Sequence, residues 1–226
     1  LLPMVYGLAY PLTGEGGVGA GRALTMGLSL LAAGFAGALA RRLVSREMKG
    51  WALACAFALA AVNVYQSYYG TVVKTYALCG FLLTAGAWLL AVARDRRSLV
   101  VHALAGLFLA GAAGTRISAG VMLPVLGLYL MGQRERSGRA SWLAFAVGGF
   151  VGLGVIFLPL IFAAPDAFRY FVLDYHSARS AGSLAAQLVF KAGCLSRVVQ
   201  AYFVAVSLGV ALFLTRAVMG RLGERD

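Results

Sequence analysis

Arg116 stands in the segment GAAGTRISAG, residues 111–120, with a short apolar run on either side. A guanidinium is permanently charged and presents a planar fork of N–H donors, so the chemistry it suits is recognition of an oxyanion. Gly111, Gly114 and Gly120 leave room for a bulky group to approach it. The helix that follows Arg116 would add free N–H groups and a positive dipole end, which also favour an anion. Lys74 supplies a second cation that can serve a phosphate or pyrophosphate; a water-exposed turn lysine is the alternative. Asp174, Tyr175 and His176 set an acid, a hydroxyl and an imidazole side by side, and Arg179 lies one helical turn beyond His176. Asp174 and Glu15 are the carboxylates that could act as a base.

These residues must be positioned by an unusual chain. Of 226 residues, 61% are hydrophobic and 12% charged, more apolar content than a soluble domain of this size can bury. The composition therefore predicts an all-α, polytopic membrane helix bundle forming a single domain over 1–226. The net charge of +12 does not point to nucleic acid, because the basic residues fall in short clusters between apolar runs instead of along one face. Cys55, Cys79 and Cys194 have neither CxxC nor metal-ligand spacing, so no disulfide framework, metal site or cofactor is expected.

At about 20 apolar residues per crossing, full spans are expected over 22–40, 50–69, 75–93, 141–163 and 198–215. The basic clusters are Arg41, Arg42, Arg46 and Lys49; Arg94, Arg96 and Arg97; Arg134, Arg136 and Arg139; and Arg216, Arg221 and Arg225. Two apolar runs separate each cluster from the next, so the positive-inside rule puts all four on the cytoplasmic side. The alternation closes if 99–114 and 117–131 are separate passes of a short helical hairpin at 99–131, giving about seven membrane segments. Residues 1–21, broken by Pro3 and Pro11, read as an outer re-entrant or interfacial segment. Residues 164–197 read as a long extracytoplasmic loop with an interfacial helix, capped by Asp166 and carrying Phe168, Phe171, Val172 and Tyr175 on one face. Arg169 then serves the interface, and His102 is expected to be a packing residue.

Each limb of the hairpin has about 15 residues, or ~22 Å of helix, against a hydrocarbon core of ~30 Å. The hairpin should stop short of the outer surface and leave Arg116 recessed beneath the headgroups. A charge so placed costs on the order of 2.5–3.5 kcal/mol at the membrane centre, less near its edge, and something must offset that cost. A lipid-linked phosphate does so; an arginine that snorkels to ordinary headgroups as a topological anchor does so equally well. Two small-residue faces, Ala33 with Gly37 and Gly148 with Gly152, predict close helix contacts.

The order of features resembles the membrane half of the polyprenyl-phosphate-sugar-dependent glycosyltransferases, the GT-C superfamily that includes protein O-mannosyltransferases and aminoarabinose transferases of lipid A. The resemblance lies in a Pro-containing stretch leading to GGVGAGRAL at 16–24, the basic turn RRLVSREMKG at 41–50, and GLFLAGAAGTRISAGVMLP at 106–124. It covers roughly residues 1–131. It implies an integral multi-pass enzyme of a bacterial inner membrane with its active face extracytoplasmic, moving a sugar from a polyprenyl-phosphate donor to a lipid, glycan or protein acceptor. Arg116, the basic residue after the threonine, inherits the role of holding the lipid phosphate. The family's catalytic carboxylate would lie upstream of Leu1, as in an amino-terminally truncated fragment. Many members carry an acidic residue in the outer turn that corresponds to 69–76 here, a stretch with Lys74 and no acid. Two other classes use the same arginine. A transporter or flippase-type subunit for a lipid-linked anion calls for charges deep in several helices, which the sequence does not supply. A structural membrane subunit would need the arginine only for topology.

Overall fold

A computed structural model of the chain describes residues 7, 17–62, 74–132, 134–175, 183–201, 203, 207, 210 and 211. Among them there is no strand. The helices are α1 (Gly17–Leu43), α2 (Lys49–Ala61), α3 (Thr75–Arg96), α4 (Leu99–Thr115), α5 (Met122–Gly132), α6 (Arg134–Ala163), α7 (Pro165–Arg169) and α8 (Leu184–Ala201). Short 3-10 turns at Arg46–Met48 and Ile117–Val121 and a π-helical turn at Tyr170–Asp174 complete the order.

Three helical stretches are long and apolar enough to cross a membrane, Gly19–Leu43, Thr75–Arg96 and Arg139–Ala163; Leu99–Thr115 and Ile117–Gly132 are apolar but shorter. Large apolar side chains face outward along them, among them Leu31, Phe150, Val155 and Phe162, the last 80% exposed. Water would not tolerate so continuous an apolar surface, whereas lipid does. The chain is therefore a membrane protein. The expected total of about seven segments is not reproduced: of the span at 50–69 the described part is α2, ending at Ala61, and most of 198–215 lies outside the described residues.

The core is built around α4. Ala105, Leu109, Ala110, Ala112 and Ala113 are all at most 4% exposed, and α3 and α6 pack along the helix on two sides. Glycine permits this approach. A Cβ at Gly148 would overlap the carbonyl oxygen of Ala103, and one at Gly106 would overlap that of Phe145. At Gly152 it would come within 2.6 Å of the Ala110 methyl. The Gly148/Gly152 face is thus the seam between α4 and α6. The Ala33/Gly37 face is used as well: Ala33 is 1% exposed, and a Cβ at Gly37 would lie 2.9 Å from the Leu53 carbonyl of α2. Phe35 completes the α1–α3 contact, its ring 5.8 Å from Phe81 and 5.2 Å from Trp88. The larger core cluster joins Leu90, Ala105, Leu109, Leu130 and Phe145 from four helices.

The register fixes the two ends of the bundle. Ala103 meets Gly148 and Ala110 meets Gly152, so α4 and α6 run parallel. Arg42 at the end of α1 pairs with Asp95 at the end of α3, and Arg94 donates to the Tyr129 hydroxyl of α5 at 3.4 Å. The first two basic clusters and the start of α6, which carries the third, therefore gather at one end, as the alternation of charge and apolar runs requires. The fourth cluster lies outside the described residues.

Helix α1 begins at Gly17, five residues before the expected start of the first span, and of the preceding residues of the 1–21 segment only Gly7 is described. The described residues of 164–197 are largely helical, and α8 occupies 18 residues and runs across the boundary at 198. Its polar positions, among them Gln187, Lys191 and Ser196, lower its average apolarity without breaking its helical period.

Candidate functional site: the helix break at Arg116

The chain breaks between α4 and the following 3-10 turn at Arg116, whose backbone is extended at φ −147° and ψ 116°. The break is tied down from both sides. The Ala112 carbonyl accepts from the Arg116 amide at 2.9 Å and from the Thr115 hydroxyl at 2.7 Å, and the Cys79 thiol of α3 points at it from 3.9 Å. The Arg116 carbonyl in turn accepts from the Ala119 amide at 2.9 Å. The threonine of the Thr-Arg pair thus reinforces the last turn of α4, adding a second donor to a carbonyl that the Arg116 amide already satisfies.

The half-buried Arg116 side chain lies over the ring of Tyr76, its guanidinium carbon 4.2 Å from the centroid. A cation at this distance is held by the ring's quadrupole, by about 0.5–2 kcal/mol depending on how far water is excluded. Cys79 faces Ala112 and Leu82 lies beside Gly111, a register that brings Arg116 level with the first turn of α3. The shortness of α4 therefore does not sink Arg116 beneath its neighbour. Its partial burial comes from the aromatic face beneath it. Below the break, Cys79, Ala112 and Ala119 form a small buried cluster.

Lys74 is the residue that precedes α3, exposed, at the same end of the bundle and two residues from Tyr76. Asp174 and Tyr175 follow α6 and so belong to this end too, Asp174 closing the π-helical turn after α7 and Tyr175 just past it. Asp174 lies 3.7 Å from Arg169, both side chains well exposed, and Tyr175 is 45% exposed. The expected cap at Asp166 is replaced by Ala164, with Pro165 at the first helical position, where its fixed φ and missing N–H cost nothing. The ring of Phe168 rests 5.9 Å from Phe157. His176, Arg179 and Glu15 lie outside the described residues.

Beyond Arg116 an apolar groove of about 450 Å³ runs between α5 and α6, from Gly120 near the break past Leu123 and Phe150 to Trp142 and Met131 toward the basic end. The groove begins four residues past the break; Arg116 is not among the residues that line it, and its guanidinium lies against α3.

Sequence reasoning missed Tyr76 and Cys79. Their types were visible, but only the pairing of α3 with α4 shows that they meet Arg116. His102 is buried as expected, its Nδ1 donating to the Ser98 carbonyl at 2.7 Å, while its Nε2 has no partner among the described residues. Among the described residues no group of three or more His, Cys, Asp or Glu could hold a metal ion. Compared with protein families, curated proteins and solved structures, the chain matches none.

Proposed function

We propose that this protein is the membrane portion of a glycosyltransferase that moves a sugar from a polyprenyl-phosphate donor to an acceptor, and that Arg116 holds the donor phosphate. The observation that carries the reading is the setting of Arg116: a half-buried guanidinium at a helix break, stacked on Tyr76, with an apolar groove that begins four residues on at Gly120. Departure of a phosphate leaves negative charge, and a cation already fixed in place stabilises it without reorganising at the moment of reaction. Lys74 serves as a second, exposed cation for the same anion. The groove takes the first isoprene units of the donor. In this reading the basic end faces the cytoplasm and the Arg116 end the extracytoplasmic side, with about seven segments in the whole bundle. The acceptor, a lipid, a glycan or a protein, approaches from the side of Asp174, Tyr175, His176 and Arg179.

The test is binding of polyprenyl phosphate to the purified protein and to Arg116→Ala. Loss of binding in the variant, at unchanged thermal stability, supports the site; equal binding overturns it. Sugar transfer in vesicles carrying donor and acceptor then separates this reading from movement of a lipid-linked anion across the bilayer.

A further inference from the structure

The end of the bundle opposite Arg116 holds a second cleft that glycosyl transfer does not use. Helices α1, α3 and α5 end around a cavity of about 200 Å³. Leu39, Leu90 and Leu126 line it, together with Arg42, Arg94 and Tyr129. Arg42 is committed twice, paired with Asp95 and placed 5.9 Å from the Trp88 ring centroid. Asp95 neutralises one of the two guanidiniums. Arg94 keeps an exposed fork whose single hydrogen bond among the described residues is a long one, 3.4 Å to the Tyr129 hydroxyl. Arg41, Arg96 and Arg97 on the adjoining turns add to the positive field.

Helix carboxyl ends attract cations, which accounts for arginines here. It does not account for an apolar slot running past them into the bundle. Guanidinium fork, hydroxyl and leucine-lined slot together match a phosphodiester headgroup joined to an acyl chain, and a soluble anion would leave the slot unused. We propose that this cleft binds an anionic glycerophospholipid, with its phosphate on Arg94 beside Tyr129 and one acyl chain along Leu39, Leu90 and Leu126. The site is independent of Arg116 and stands whether or not sugar transfer does.

The test is retention of lipid by the intact protein in native mass spectrometry, with phosphatidylglycerol and phosphatidylcholine supplied in equal amounts. The wild type retains phosphatidylglycerol preferentially; Arg94→Gln lowers that retention by about tenfold, while Arg46→Gln, on the neighbouring turn, leaves it nearly unchanged. Equal retention of the two lipids, or an equal loss in both variants, overturns the proposal. Should Arg94→Gln fold poorly, the wild type alone decides. Raising salt from about 0.05 to about 0.5 M should release phosphatidylglycerol selectively, and release of both lipids alike overturns the site. Inorganic phosphate, compared with chloride at matched ionic strength, separates the sources. Displacement by phosphate beyond that by chloride would assign the cleft to a free anion and overturn the lipid.

Discussion

Arg116 and Tyr76 meet at the helix break from neighbouring elements, the guanidinium lying over the ring with its carbon 4.2 Å from the centroid. The contact joins the last residue leaving α4 to the first turn of α3, so the orientation of the cation depends on the pairing of these two helices.

Tyr76→Leu should therefore weaken polyprenyl-phosphate binding by roughly 2- to 30-fold, the range set by a cation–π contact of about 0.5–2 kcal/mol. Tyr76→Phe should retain most of the affinity. Equilibrium binding of both variants checks this. Tighter binding by the leucine variant would mean that the ring restrains Arg116 from its ligand.

Salt separates the roles of the two cations. Lys74 is exposed, so Lys74→Gln should weaken binding by about two- to fivefold at low ionic strength and leave it unaltered at high ionic strength. Arg116 is half-buried and screened less, so Arg116→Gln should weaken binding under both conditions. A titration at two salt concentrations distinguishes them.

Glycines of the bundle divide into two groups with opposite outcomes. Gly148→Ala and Gly106→Ala force backbone apart at the α4–α6 seam and should destabilise by about 1–3 kcal/mol or more. Gly80, within α3, has nothing within 4 Å of an added Cβ, and Gly80→Ala should stabilise by about 0.5–1 kcal/mol. Thermal unfolding in one detergent gives the comparison.

Arg97, which ends α3, holds φ 51° and ψ 31°, the left-handed region that costs an L-residue with a Cβ roughly 1–2 kcal/mol. Arg97→Gly should raise the unfolding midpoint, since glycine meets this conformation without that cost. A lowered midpoint would show that the arginine side chain contributes more than its backbone costs.

His102→Leu should leave stability within about 1 kcal/mol of wild type or improve it, because the buried Nε2 has no partner among the described residues and relief of its desolvation offsets the lost Nδ1 bond to the Ser98 carbonyl. A fall of more than about 2 kcal/mol in the same unfolding assay would reveal a partner for this nitrogen.

Much of this architecture is legible in the residue order. The break at Thr115-Arg116 shows because a charge interrupts an apolar run, and the gathering of basic clusters at one end shows because each follows a pair of apolar segments. The neighbours of each helix do not show. Hydropathy measures how apolar a segment is, and it marks α4 and α6 both as apolar although the second half of α4 is enclosed and α6 is largely exposed. Tyr76 and Cys79 were invisible as site residues for the same reason, since their importance lies in the register of α3 on α4. The helix at Leu184–Ala201 was hidden by its own polar residues, which resemble those of a loop when averaged along the chain.

The enclosure of α4 has a consequence for the site at its end. Leu109 through Ala113, the half leading to Arg116, touches other helices on every side, whereas Phe150 and Phe162 of α6 face outward. When a bilayer thickens or thins, the outward-facing helices meet the mismatch and tilt to accommodate it. Helix α4 has no lipid contact along this half through which to sense that change. Arg116 is thereby referenced to the protein and not to the membrane, and its position should carry over between bilayers of different thickness.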